Sequence, residues 1–129
     1  DATTTASNNV GIGMNALTAN TTGTDNTAVG YQSLDANTTG GSNTAVGHNA
    51  LTANTTAGYN TAVGKNTMTN ATTAAGNVAI GYQAMSSGVQ GDYSVAVGQN
   101  ALYTNTGDGN TAVGETHYLQ ILQELIIQL

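Results

Sequence analysis

Cysteine, proline, tryptophan and phenylalanine are all absent from this chain of 129 residues. Without cysteine there are no disulfides, no thiol chemistry and no thiolate metal sites, although that absence does not fix a compartment. Without proline, and with 17 glycines that do not fall every third residue, a collagen pattern is excluded. Charge is scarce too. Charged residues make up 6% of the chain, against roughly 25% in an average soluble domain. Lys65 is the only strong cation beside seven acids, for a net charge of −6. No basic patch can form, which excludes nucleic acid and leaves an anionic membrane surface a poor partner. No run approaches the roughly 20 apolar residues of a membrane helix, so no membrane insertion is expected. No signal-peptide pattern is visible in these residues. All six aromatic residues are tyrosine. The bulk that fills an ordinary core is replaced by Ala, Thr, Asn and Gly.

What is present is a repeat. Asn26-Thr27-Ala28-Val29-Gly30 recurs at Asn43 to Gly47, Asn60 to Gly64 and Asn110 to Gly114. Close variants run from Asn9 to Gly13, Asn77 to Gly81 and Ser94 to Gly98. The closing glycines follow one another at intervals of 17, with one final interval of 16. Four residues after each of the first six comes Leu17, Leu34, Leu51, Met68, Met85 or Leu102. A small residue precedes it, and before that an amide: Asn15, Gln32, Asn49, Asn66, Gln83 or Asn100. Polar stretches such as Asn37-Thr38-Thr39-Gly40 read as turns.

Seventeen residues are too few for a helical hairpin. They suit two short strands and two turns, one coil of a parallel β-solenoid or β-roll. The fold class expected is therefore all-β, with about seven coils over residues 9–114. At about 4.8 Å per coil the rod would be roughly 34 Å long. Alternation over Thr27-Ala28-Val29-Gly30 puts Thr27 and Val29 on one face and Ala28 and Gly30 on the other. The expectation is that Val29 and Leu34 fill the coil, while Ala28 and Gly30 meet a neighbouring backbone. One Val and one Leu per coil make a thin core, so more apolar area should be buried between chains, at the small Ala and Gly faces. The phased columns count against a disordered low-complexity tract.

Residues 1–8 precede the repeats and read as a leader segment. Asp1 in place of Met is consistent with removal of an upstream part. Residues 115–129 contain no Gly or Asn. Their Leu119, Leu122, Ile126 and Leu129 fall at spacings of 3, 4 and 3, an a/d seam. This predicts a short amphipathic helix, the start of a coiled coil or an oligomerisation clamp. A strand over Ile121 to Ile127 stays open.

Reactive groups do not converge. His48 and His117 fall in different regions, the acids occupy different places in their coils, and Gly11-x-Gly13 lacks the context of a phosphate loop. No catalytic residue, cofactor or metal ligand is assigned, and no enzyme is expected. Tyr59 and Tyr93 share one position in the coil and Tyr31 and Tyr82 another, so these four are the candidate receptor contacts, able to stack on sugars or to pack as a ridge. Thr21-Thr22, Thr38-Thr39, Thr55-Thr56 and Thr72-Thr73 form ranks that also allow an ice-binding solenoid.

Asn26-Thr27-Ala28-Val29-Gly30-Tyr31-Gln32-Ser33-Leu34 and Asn77-Val78-Ala79-Ile80-Gly81-Tyr82-Gln83-Ala84-Met85 resemble the shaft repeats of phage tail fibres. More loosely, they resemble the head repeats of trimeric autotransporter adhesins. The resemblance spans about residues 9–114. It implies a parallel homotrimer of left-handed β-rolls, intertwined or side by side, followed by a coiled-coil stalk. It also implies an extracellular place, on a virion tail fibre or a bacterial surface, and a role in attachment to a cell-surface glycan or protein receptor. The period is longer than that of adhesin heads. Neither a membrane anchor nor the chaperone domain that often accompanies such fibres is visible in these residues.

Overall fold

The computed structural model describes residues 5–87 and 91–115. Among these all regular structure is β: β1 (Val10–Ile12), β2 (Thr27–Val29), β3 (Thr44–Val46), β4 (Thr61–Val63), β5 (Val78–Ile80), β6 (Val95–Val97) and β7 (Thr111–Val113). They form one parallel sheet in chain order. The register is Ala on Ala from coil to coil, as in Ala28↔Ala45 and Ala45↔Ala62. The chain is a parallel β-solenoid. Its seven strands bound six complete turns, so the expected seven full coils are one too many. The stacked part measures about 29 Å at about 4.8 Å per step.

Each coil has one three-residue strand, not the expected two. The reason lies in the residues after the strand. The closing glycines take φ between 131° and 137° at Gly30, Gly47, Gly64 and Gly81. The amide that follows is left-handed, with Gln32 at φ 52° and Asn49 at 57°, and so is the Leu or Met, with Leu34 at 50° and Met68 at 50°. Left-handed residues at alternate positions cannot build an extended strand. They build two successive tight turns, closed by Ser33 N–H on Gly30 O and Asn37 N–H on Leu34 O. Asn at the amide column tolerates this backbone readily. Leu does not, and a non-glycine residue held there costs about 1–3 kcal/mol. Complete burial of Leu34, Leu51, Met68 and Met85 offsets that strain.

The turns still hydrogen-bond from coil to coil. Leu34 N–H donates to Ala50 O at 3.0 Å, Leu51 N–H to Thr67 O at 3.0 Å, and Asn49 N–H to Tyr31 O at 2.9 Å. The backbone is thus paired along the axis well beyond the strands, as buried peptide groups require.

The core is the reverse of the expected one at the strand. Ala28, Ala45, Ala62, Ala79 and Ala96 are fully buried and pack with Leu34, Leu51, Met68, Met85 and Leu102. Thr27 and Val29 are only partly buried and point outward. The coil is too narrow for a valine at the strand, because the opposite wall already supplies a Leu or Met. The rest of that expectation divides: Leu34 fills the coil as expected, Ala28 lies inside it and not against a neighbouring backbone, and the closing glycines do meet one, in the next coil of the same chain. A Cβ placed on Gly47 would lie 2.4 Å from Gly64 O, so the glycines do sit where a neighbouring backbone comes close.

Two buried asparagine ladders close the coil. In the first, Asn43 Nδ2 donates to Ala57 O at 2.9 Å across the coil and to Asn26 Oδ1 at 3.1 Å, while its Oδ1 accepts Asn60 N–H at 3.0 Å. In the second, Asn37 Nδ2 donates to Asn20 Oδ1 and Asn54 Nδ2 to Asn37 Oδ1. That ladder stops at Ala71, where Asn70-Ala71 stands in place of Ala53-Asn54. Asn54 Oδ1 is accordingly buried without a partner. The 16-residue coil is absorbed in this same turn. Asn105 Nδ2 reaches Gly107 O two residues on, where Asn37 reaches Gly40 O three residues on. The pairing Ala96↔Ala112 is therefore kept.

Thr5 N–H donates to Thr21 O and Asp25 N–H to Ser7 O, so residues 5–8 run along the first coil. The predicted helix, with Leu119, Leu122, Ile126 and Leu129, lies outside the described residues.

Candidate functional site

The sequence places a pair of outward side chains on every strand, and parallel in-register pairing turns each pair into two ranks. One rank is Val10, Thr27, Thr44, Thr61, Val78, Val95 and Thr111; the other is Ile12, Val29, Val46, Val63, Ile80, Val97 and Val113. Between them stand only the inward alanines, or Gly11 on β1. The outer face is thus a strip of methyl groups and threonine hydroxyls. Its middle members are half-buried by their own neighbours, while Ile80 keeps 40% of its surface exposed. Sequence reasoning missed this face because it put the larger apolar residue inside.

The four tyrosines fall at opposite ends of the strands. Tyr31 and Tyr82 follow the closing glycine, in a column with Met14, His48, Lys65 and Gln99. There Tyr31 stacks on His48, with ring centroids 5.0 Å apart and an interplanar angle of 29°. The 17-residue step between them was the signal for this contact, since it puts them one above the other on successive coils. Tyr59 and Tyr93 precede the ladder position at the other end. They are 76% and 73% exposed, and both are left-handed, at φ 63° and 56°. The structure therefore makes two columns from these four residues, not one cluster.

The threonine ranks divide. The hydroxyls of Thr21, Thr38 and Thr55 donate to the carbonyls of Thr38, Thr55 and Thr72 at 3.0–3.1 Å. That rank ties coils together. Thr22, Thr39, Thr56 and Thr73 form a single exposed rank beside it.

Carboxylates contribute to the backbone scaffold. Asp92 Oδ1 accepts Ala75 N–H and Asp108 Oδ1 accepts Asp92 N–H, both at 2.8 Å. Among the described residues no three of His, Asp and Glu gather where an ion could be held, and no helix is long and apolar enough to cross a membrane. No protein-family model, curated protein or solved structure matches the chain.

Proposed function

We propose that the chain is a structural, non-enzymatic rod, a segment of an extracellular fibre or adhesin that works as a homotrimer for surface attachment. The observation that carries this reading is the outward rank of Val, Ile and Thr on seven strands in register. A coil whose interior holds one Leu or Met and one to three alanines has little apolar area of its own to bury. A flat strip of methyl groups along the whole rod supplies the missing area when chains pack side by side. The small Ala face cannot serve as the contact, because it lies inside the coil. Association therefore runs through Thr27, Val29 and their equivalents. The likeness of the repeats to fibre shafts and adhesin heads supports three chains around one axis. Low charge and the scattered reactive groups fit a spacer.

Light scattering resolved by size tests this reading. The expected mass is three times the 12.9 kDa chain mass, held on dilution through the micromolar range. A stable monomer at those concentrations contradicts it. The ice-binding reading has less support, since one of the two turn threonine ranks is engaged in holding coils together.

A further inference from the structure

The asparagines close each coil on one carbonyl, and that closure is not the same in every coil. Coils are numbered here from Asn9, Asn26, Asn43, Asn60, Asn77 and Ser94. In the second, Gly40 O accepts Asn26 Nδ2 at 2.8 Å and Asn37 Nδ2 at 3.0 Å. In the third, Ala57 O accepts Asn43 Nδ2 at 2.9 Å and Asn54 Nδ2 at 3.1 Å. In the fourth, Ala71 brings no amide, and Ala74 O keeps only Asn60 Nδ2, at 2.8 Å. In the fifth, Asn77 Nδ2 does not reach Gly91 O and is buried without a partner. The sixth recovers two bonds, from Asn105 and Asn110 to Gly107 O. A buried acceptor, Asn54 Oδ1, and a buried donor, Asn77 Nδ2, thus border the place where the inner ladder fails.

A second, outer contact begins at this place. The residue after the closing carbonyl is Thr24, Gly41, Gly58, Ala75, Asp92 and Asp108 in successive coils. Only the last two carry a carboxylate, and each turns back by one coil. Asp92 Oδ1 accepts Ala75 N–H and Asp108 Oδ1 accepts Asp92 N–H, both at 2.8 Å. Hydrogen bonds to an ionised acceptor are the stronger kind. Gly91 leaves room for the second of them, since a Cβ there would lie 2.5 Å from Asp108 Oδ1. Two like charges on adjacent coils repel each other. Lys65, the only strong cation, stands in another column. The pair of aspartates is therefore unfavourable apart from the two bonds it makes. The second and third coils, whose ladder is complete, do without it.

We propose that Asp92 and Asp108 form an outer latch across the fourth to sixth coils, in place of the missing inner ladder, and that among the interior coils the rod opens first at this junction. Opening there breaks the latch bonds and exposes amides that are already unpaired, so it costs less than opening the second or third coil. The opposite wall stays closed. Its strands pair in register through the junction, Ala62 on Ala79 and Ala79 on Ala96. The opening is therefore local and leaves the sheet intact. The inference concerns the coils of one chain and does not depend on how many chains assemble.

Amide hydrogen exchange of the full chain, read by NMR and corrected for intrinsic rates, tests it. The N–H groups of Asn43, Asn60, Asn77 and Ser94 each donate to the Asn Oδ1 of the preceding coil, so they are equivalent reporters. Asn77 and Ser94 are expected to exchange about tenfold faster than Asn43. Asp92→Ala should speed both by about a further tenfold and leave Asn43 unchanged. Alanine suits this place, because Ala75 already occupies it in the fourth coil. Asp92→Asn keeps an acceptor oxygen and should behave like the unaltered chain. Ala71→Asn restores an amide between Asn54 Oδ1 and Ala74 O, and should slow Asn77 by about tenfold. Equal exchange of Asn43 and Asn77 in the unaltered chain overturns the weak junction, as does an Asn77 that Ala71→Asn fails to slow. An Asp92→Ala variant in which every reporter speeds up alike, or none does, overturns the latch.

Discussion

Replacing Gly47 with alanine is expected to lower the melting temperature by roughly 15 °C, a loss of about 4 kcal/mol. Two costs coincide at this residue. Its φ of 137° lies in a region that L side chains rarely adopt, and a Cβ would stand 2.4 Å from Gly64 O and 2.7 Å from Gly64 C. The obstructing atoms are backbone, held in the next coil by the same ladder, so no rotamer change relieves the clash. The two coils must separate, which breaks several inter-coil hydrogen bonds at once. Gly109→Ala is the control. Gly109 also has positive φ, at 66°, but nothing lies within 4 Å of its added Cβ. Its cost should be the conformational part alone, about 1 kcal/mol. Circular dichroism melts of the two variants separate them. Equal, small shifts would mean that coil contact at the glycine column does not limit stability.

Asn43→Ala is expected to cost about 2–4 kcal/mol, through hydrogen bonding and not through lost packing. Asn43 is fully buried. Removing its amide deprives Asn60 N–H of its acceptor and takes one donor each from Ala57 O and Asn26 Oδ1. A buried donor left without a partner costs about 1–3 kcal/mol by itself. Asn43→Ser should cost distinctly less. Ser94 occupies the same place in its own coil and accepts Asn110 N–H on its hydroxyl at 3.1 Å. Denaturant unfolding of both variants tests the ladder. A serine variant as unstable as the alanine one would show that the bond across the coil matters and the bond along the axis does not.

Much of this architecture was legible in the spacing of residues. The closing glycines and the Leu or Met column fix the period. The period alone puts Tyr59 and Tyr93 in one column, two coils apart, and Tyr31 one coil from His48. What the spacing could not convey was the width of the coil. Hydrophobicity ranks Val29 above Ala28 for burial, but interior width is set by the opposite wall, where Leu34 already reaches across. A pattern of two also assumes extended backbone. The amide and Leu columns break that assumption, because left-handed φ at both sites folds the chain into turns. A left-handed leucine leaves no signature in composition. The first asparagine ladder did leave one. An Asn opens six of the seven copies, with Ser94 in the remaining one, and a polar residue that varies so little is a sign of buried work inside the coil. The outward Val and Thr ranks, and with them the candidate assembly face, follow only after Ala28 has been placed inside.

The most direct measurement of the central claim uses the absence of native cysteine. A single thiol introduced by Ile80→Cys sits in the middle of the outward face, and one introduced by Thr73→Cys sits on the exposed turn rank. If chains pack through the strand face, the first thiol should react with a maleimide at least tenfold more slowly than the second at micromolar protein. The two rates should converge once the protein is unfolded in denaturant. Equal rates in the native state would contradict assembly through this face.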